Sequence, residues 1–543
     1  MSRIRGMRGH LASSIAVTCA AALAFPLALA SDAAATPLAS GRPADGRPVA
    51  GWTTPDGPAS GRTARARPET ARPSTTSAGP RTGAAAAPVA SADRAVPGST
   101  QSLPLTPLAP GASHVTPTPS GDRTLAPVSA PVQGLARRDV RHFSLVGVVW
   151  DNPDSELHGR VQVRTRATGT GRWSAWQDVD THNHEHAADP DTAERTSGRV
   201  RGSTAPLWVG ASDGVEVRVQ AEADGRAGAD GRAAASEPLP RGLHVELVDP
   251  GAEPPPQGSE VDVPRATALT AESAASSAVN ADLAPLGATE IPALSQRQTR
   301  ADLLATRGEG EETTGTTGTT GTAGTAGTTD TAGSAAGQQA KPYIGARPRI
   351  VTRRGWGADE TIRERNFSYT KTVKAAFVHH TASGNNYRCA QASSVIRSIY
   401  RYHVKSSGWR DIGYNFLVDK CGNIYEGRAG GVAKPVMGAH TLGFNTKSMG
   451  IAVLGSFGGI NPPAPAVKAV ARLTAWKLGL FGANPQGKTY LTSGGGNLYR
   501  KGKNVRLNVI SGHRDGFATE CPGGRLYAKL GSARATSARY QGR

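Results

Sequence analysis

The chain has 543 residues, too many for one ordinary core, and its 38% hydrophobic and 5% aromatic content excludes apolar burial along the whole length. The formal charge of +19 is local: residues 343–535 hold 29 Lys and Arg against 8 Asp and Glu, and the remainder is nearly neutral. Such a field favours a polyanionic partner. The secretory character of the N-terminus makes that partner an anionic cell-wall surface rather than nucleic acid.

Residues 1–30 read as a signal peptide. Arg3, Arg5 and Arg8 precede an apolar stretch from Leu11 to Leu29, and Ala28-Leu29-Ala30 has the small residues of a cleavage site. No later stretch is apolar enough to cross a bilayer, so the expected product is secreted, with no transmembrane anchor after cleavage. Residues 31–135 are rich in Ala, Pro, Thr and Ser without apolar periodicity, and are expected to be disordered.

Residues 136–250 change in texture. Phe143–Trp150, Val161–Arg166, Trp173–Trp176, Leu207–Val209, Val215–Val219 and His244–Val248 are short strand candidates separated by Gly, Pro, Asp and Asn clusters. Their spacing predicts a small antiparallel β-sandwich-like domain, with Trp150, Trp173, Trp176 and Trp208 filling its core. His182, His184 and His186 fall in an acidic stretch that reads as a solvated loop. Residues 251–342 read as a low-complexity linker, with a Thr-Gly/Ala repeat from Thr313 to Gly333.

Residues 343–535 mix both periods. Val373–His379, Asn415–Asp419, Ile424–Glu426, Ile451–Leu454 and Asn508–Ile510 are strand candidates. Helices are expected over Cys389–Val404 and again from about Val467. The order predicts an α/β fold, a mixed central β-sheet flanked by helices.

The chemistry concentrates in this last segment. His513 and Cys521 are separated by seven residues in one loop, and a His379-His380 pair ends a strand. Two imidazoles and a thiolate suit Zn²⁺, and three protein ligands leave one tetrahedral corner for water, the mark of a catalytic site. Adjacent strand side chains face opposite ways, so only one of His379 and His380 faces the metal. Tyr414, His440 and Thr519 are further candidates around the reacting carbonyl, although Tyr414 by itself also reads as a core residue. Cys19 leaves with the signal and Cys521 serves the metal, so Cys389 and Cys421 are expected to form a disulfide.

Trp409–Val418, Tyr425-Glu426-Gly427-Arg428, Gly438-Ala439-His440, Ser511–Asp515 and Glu520–Gly523 resemble peptidoglycan recognition proteins, which share their fold with phage-type N-acetylmuramoyl-L-alanine amidases. Arg354–Ala358 is similar to the family's entry segment. The resemblance covers about residues 347–533. It implies His379, His513 and Cys521 as the metal ligands and a catalytic role for Tyr414, with Thr519 near the scissile bond. His380, His440 and Arg428 are the expected substrate-binding residues, and peptidoglycan muropeptides the expected partner. Non-catalytic members typically lack the metal cysteine, so Cys521 favours the active branch over a peptidoglycan-binding protein that does not cut. The Cys389–Cys421 spacing differs from the closely spaced disulfide common in animal members.

Overall fold

The computed structural model describes residues 98–108, 132–222, 238–252, 270–308 and 342–543. The expected signal peptide and the Thr313–Gly333 repeat lie outside the described residues.

The first part is an antiparallel network of eight strands: β1 (Ser99–Pro104), β2 (Thr106–Pro107), β3 (Val132–Trp150), β4 (Gly159–Ala167), β5 (Gln177–Val179), β6 (Gly202–Ser203), β7 (Leu207–Ala221) and β8 (His244–Asp249). The order is β1-β8-β3-β7-β4-β5, with β2 and β6 also on β3. Register shifts interrupt the long β3–β7 pairing after Leu135, Asp139 and Phe143. Such irregularities bend and twist paired strands. β1 and β2 fall inside the segment expected to be disordered. β1 has little apolar content and is held by backbone pairing to β8, from Ser99 opposite Asp249 to Pro104 opposite His244. That partner is distant in sequence, so no local pattern announces it.

The continuous apolar run from Phe143 to Trp150 is explained by burial on both faces. Val146, Val148 and Trp150 enter the core of the β-domain, while Leu145 and Val149 enter a second cluster shared with the C-terminal domain. Gly147 lies on that second face. A Cβ there would be 2.3 Å from the Tyr402 hydroxyl oxygen, so only glycine lets this ring approach. The Tyr402 hydroxyl lies 3.1 Å from the Thr204 carbonyl and 3.3 Å from that of Val148. Trp150 and Trp208 are buried, as expected for core residues. Trp208, however, fills the shared cluster. Trp173 and Trp176 stay half-exposed beneath the guanidinium groups of Arg137, Arg164 and Arg218.

Between the domains lie α1 (Ala271–Ala278), β9 (Glu290–Ile291) and α2 (Gln296–Gly308), inside the expected linker. They are tied to the C-terminal domain: Ile291 pairs with Ile350, and Asn280 donates to the Glu426 carboxylate at 3.0 Å. That domain comprises β10 (Ile350–Val351), β11 (Ala375–His380), α3 (Ala392–Arg401), β12 (Phe416–Val418), β13 (Ile424–Glu426), β14 (Ser448–Val453), α4 (Ala464–Leu480), β15 (Lys488–Thr492), β16 (Asn504–Asn508), β17 (Ile510–Gly512), α5 (Gly524–Tyr527) and α6 (Leu530–Gln541). α6 runs past residue 535, the expected end of the domain. β15 and β16 form a separate hairpin, in which buried Val505 and Leu507 of β16 alternate with polar neighbours.

The mixed sheet has the order β17-β11-β14-β12-β13-β10-β9, with β17, β11, β14 and β12 parallel. Strand alternation divides the two cores. Ala376, Val378, Phe416, Val418, Ile451 and Val453 pack towards α4 and α6, while Leu417, Ala452 and Leu454 pack towards α3 and the β-domain. No helix among the described residues is long and apolar enough to cross a membrane.

Cys389, just before α3, is bonded to Cys421 in the β12–β13 turn, across 32 residues of chain. Closing a loop of that length should contribute roughly 3–4 kcal/mol through the unfolded state. Replacing both cysteines by serine is therefore expected to lower the urea midpoint by that amount of stability. An unchanged midpoint would count against a structural role for the bond.

Candidate metal centre at the carboxyl ends of two parallel strands

β11 and β17 run parallel, and the site lies beyond their carboxyl ends. Alternation along β11 sends Phe377 and His379 to one face and Val378 and His380 to the other. His379 is fully buried and reaches the site. His380 turns away, its Nδ1 accepting the Phe457 N–H at 3.3 Å. Burial holds His380 down at about 4.

β17 delivers His513 directly after Gly512. The loop beyond it folds back because the Arg514 N–H donates to the Cys521 carbonyl at 3.0 Å and the Phe517 N–H to that of His513 at 3.2 Å. The loop therefore closes on itself and returns Cys521 beside His513.

The expected trio is thus brought together, and a fourth donor joins it. His186, His379, His513 and Cys521 offer ligand atoms all within 4.8 Å of one another. The Cys521 sulfur is 3.5 Å from His186 Nε2 and 3.7 Å from His379 Nδ1. A tetrahedral ion with ordinary sulfur and nitrogen bond lengths sets an S···N edge of about 3.6 Å. Both ring nitrogens of His513 and Nδ1 of His186 are buried without a hydrogen-bond partner. Buried polar atoms ordinarily have one. Burial also favours neutral imidazoles at His186, His379 and His513, and pushes the Cys521 thiol well up. Neutral imidazoles are the form that binds metal, and a cation at the centre would favour the thiolate against that burial. The geometry and the donor set fit a tetrahedral divalent ion.

His186 comes from residues 180–201, which connect β5 to β6 in the β-domain. The reading of a solvated histidine loop is corrected: His186 is 4% exposed, and Asn183, Glu185, Ala187, Ala188 and Asp189 are buried with it. His186 thereby brings a fourth donor to the side of the three expected ligands. The groups that meet His186, Glu185, Asp189 and Glu194 belong to the other domain, so local composition described the loop as solvated. Its length was the available signal, since irregular connections beyond about 12–15 residues are usually functional or mobile.

The remaining candidates surround the centre. The Tyr414 ring lies 5.5 Å from that of His379 and 5.9 Å from that of His186. Burial raises its phenol well above the usual range, so it stays a donor. Thr519 accepts from the Cys521 N–H at 3.1 Å and donates to Glu185 at 2.6 Å. His440 is fully buried, its Nδ1 3.2 Å from His379 Nε2. In this structure it orients a ligand rather than facing solvent. Gly450 makes room for it, because a Cβ there would lie 2.4 Å from the His440 ring. Arg428 is buried too, and its guanidinium grips both oxygens of Glu194, at 2.8 and 2.9 Å.

Residues 369–524 match the family model described as N-acetylmuramoyl-L-alanine amidase, and residues 86–241 match the Rv3811 N-terminal galactose-binding domain-like family. Peptidoglycan-recognition protein SC2 of Drosophila simulans is 33% identical over 183 residues, 33% of this chain and 84% of that protein. The chain belongs to the peptidoglycan recognition protein family. Peptidoglycan-recognition protein LB of Drosophila melanogaster is 30% identical over 188 residues, 34% of this chain and 69% of that protein. Among solved structures, peptidoglycan-recognition protein LE in complex with tracheal cytotoxin, a monomeric diaminopimelic acid-type peptidoglycan, is 32% identical. The match covers 34% of this chain and 92% of that one, with a TM-score of 0.27.

Partners that orient a metal-binding imidazole typically contribute 10–100-fold to metal affinity. His440→Phe is expected to weaken binding of a divalent ion by that factor in a competition titration against a chromophoric chelator. Affinity equal to wild type would show that His440 does not orient His379.

Proposed function

We propose that the protein is a secreted, zinc-dependent N-acetylmuramoyl-L-alanine amidase acting on peptidoglycan. The observation that carries this reading is the convergence of His379, His513 and Cys521 at tetrahedral spacing, with both ring nitrogens of His513 buried and lacking other partners. Soft sulfur with imidazole nitrogen selects Zn²⁺ over the oxygen-seeking Mg²⁺ and Ca²⁺. When bound, zinc supplies Lewis acidity and lowers the pKa of water towards neutrality.

The chain's own residues supply the rest. His440 holds His379 in the ring orientation that aims Nδ1 at the centre. Tyr414, kept neutral by burial, can donate a hydrogen bond to the oxygen of the amide under attack. Thr519, beside Cys521, lines the approach to the scissile bond. In the reaction, the oxygen of water bonds to the lactyl carbonyl carbon of N-acetylmuramic acid. The carbon–nitrogen bond breaks, and the amine of L-alanine leaves carrying a proton. The secretory start, the disulfide and the basic C-terminal domain are consistent with work at an anionic cell wall.

The test combines metal analysis with mass analysis of digested muropeptides. It is run on wild type, on His186→Ala, whose fourth position is open, and on Cys521→Ser. About one zinc per chain is expected in the first two, with cleavage that exposes a free L-alanine amino terminus and stops on chelation. Cys521→Ser is expected to lose zinc and at least ~100-fold of the turnover, since the metal's contribution goes with it. Peptidoglycan retained without cleavage by any form would make the protein a binding module instead.

A further inference from the structure

We infer that residues 180–201 act as a built-in plug for this site, with His186 as a fourth protein ligand, so that the chain as folded here is a latent form. The inference rests on the zinc-amidase reading and adds its regulation.

Several independent contacts place the plug. His186 Nε2 sits 3.5 Å from the Cys521 sulfur, and its ring lies 4.5 Å from that of His513. Three imidazoles and a thiolate complete a tetrahedron. Four protein ligands describe a closed site, whereas a catalytic one keeps a position for water or substrate. Glu185, beside it, accepts from Thr519 at 2.6 Å, and its carbonyl accepts the Leu442 N–H at 2.9 Å. Asp189 accepts the Gly443 N–H at 2.8 Å and the Asn445 side-chain amide at 2.7 Å. That amide also donates to the Ala187 carbonyl at 2.8 Å. Glu194 takes both forks of Arg428 and the Arg410 N–H. The groups expected to meet substrate, Thr519 and Arg428, are therefore engaged by carboxylates of the plug.

The plug is separable from the interface that carries it. The β-domain is joined to α3 and its surroundings by the apolar cluster of Leu145, Val149, Trp208 and Val248. The plug itself is fixed by polar contacts. Glu194, Asp189, Glu185 and His186 each have a defined exchange partner: an incoming carboxylate, amide or water can replace what they offer. Displacing the plug would open the fourth position while leaving the apolar joint intact. In a protein whose competent state is a minor population, apparent affinity for substrate falls by that fraction.

The experiment uses the full chain loaded with zinc. X-ray absorption at the zinc edge counts imidazole and sulfur neighbours in wild type and in His186→Ala, and calorimetry follows binding of a soluble monomeric muropeptide. Expected are three imidazoles and one sulfur in wild type, and two imidazoles, one sulfur and one oxygen in His186→Ala. Muropeptide affinity and amide cleavage should rise on the order of 10-fold or more in the variant. Asp189→Ala, which loosens the plug without touching a ligand, should move binding and cleavage in the same direction, and covers the case in which His186→Ala does not fold. Wild type with two imidazoles, one sulfur and one oxygen overturns the plug but leaves the amidase reading standing. Equal muropeptide binding and cleavage across the three chains overturns latency. A chain that takes up no zinc overturns the amidase reading itself.

Discussion

The architecture turns on one constraint: three imidazoles and a thiol meet in a site that water does not reach. His379, His513 and Cys521 are almost completely buried, and the ring nitrogens of His513 have no hydrogen-bond partner. Buried polar groups left unpaired cost about 1–3 kcal/mol each. A fold that gathers several of them needs a compensating interaction, and a divalent ion is one that suits all four donors at once. The surrounding structure serves that meeting. Parallel pairing of β11 and β17 places two histidines side by side. The Arg514–Cys521 backbone bond turns a loop back on itself. The absence of a side chain at Gly450 admits the imidazole that steadies His379.

The second organising feature is the joint between the domains. It is apolar and tightly fitted, with Tyr402 entering where Gly147 has no Cβ and Trp208 packed among residues of α3. Such a joint holds the β-domain beside the amidase domain. The polar connection between β5 and β6 is then held near the centre at high effective concentration. A modest set of charge-assisted hydrogen bonds suffices to seat it, because little further translational freedom is lost. The buried Arg428–Glu194 pair belongs to this set. Pairs of this kind contribute more to register than to stability, since desolvation offsets most of their attraction.

Local pattern was most legible where side-chain period and burial agreed. β11, β12, β13 and β14 follow apolar runs, and the His379/His380 alternation follows from strand geometry alone. It was least legible where backbone pairing or a distant partner supplied the order. β1 carries Ser99, Thr100, Gln101 and Ser102, a composition that describes a linker equally well; its hydrogen bonds go to β8. α1 and β9 are similarly short and polar, and are held by Asn280 and Ile291 against the amidase domain. The β15–β16 hairpin has half its residues in solvent, and its period of two shows clearly only in the short run of β16.

Residue identity and spacing by themselves pointed to a His/Cys metal site, the disulfide pair and the kinship with peptidoglycan recognition proteins, and that kinship chose His379 over His380, because a His–x7–Cys loop and a strand-ending histidine pair are local facts that survive without coordinates. Only the tertiary structure decided that a third imidazole, His186, joins the group as its fourth donor, that His440 steadies a ligand and that Arg428 is gripped by Glu194. Each of those relations joins groups far apart in the chain, and their burial is conferred by surfaces that neither partner's own neighbourhood contains.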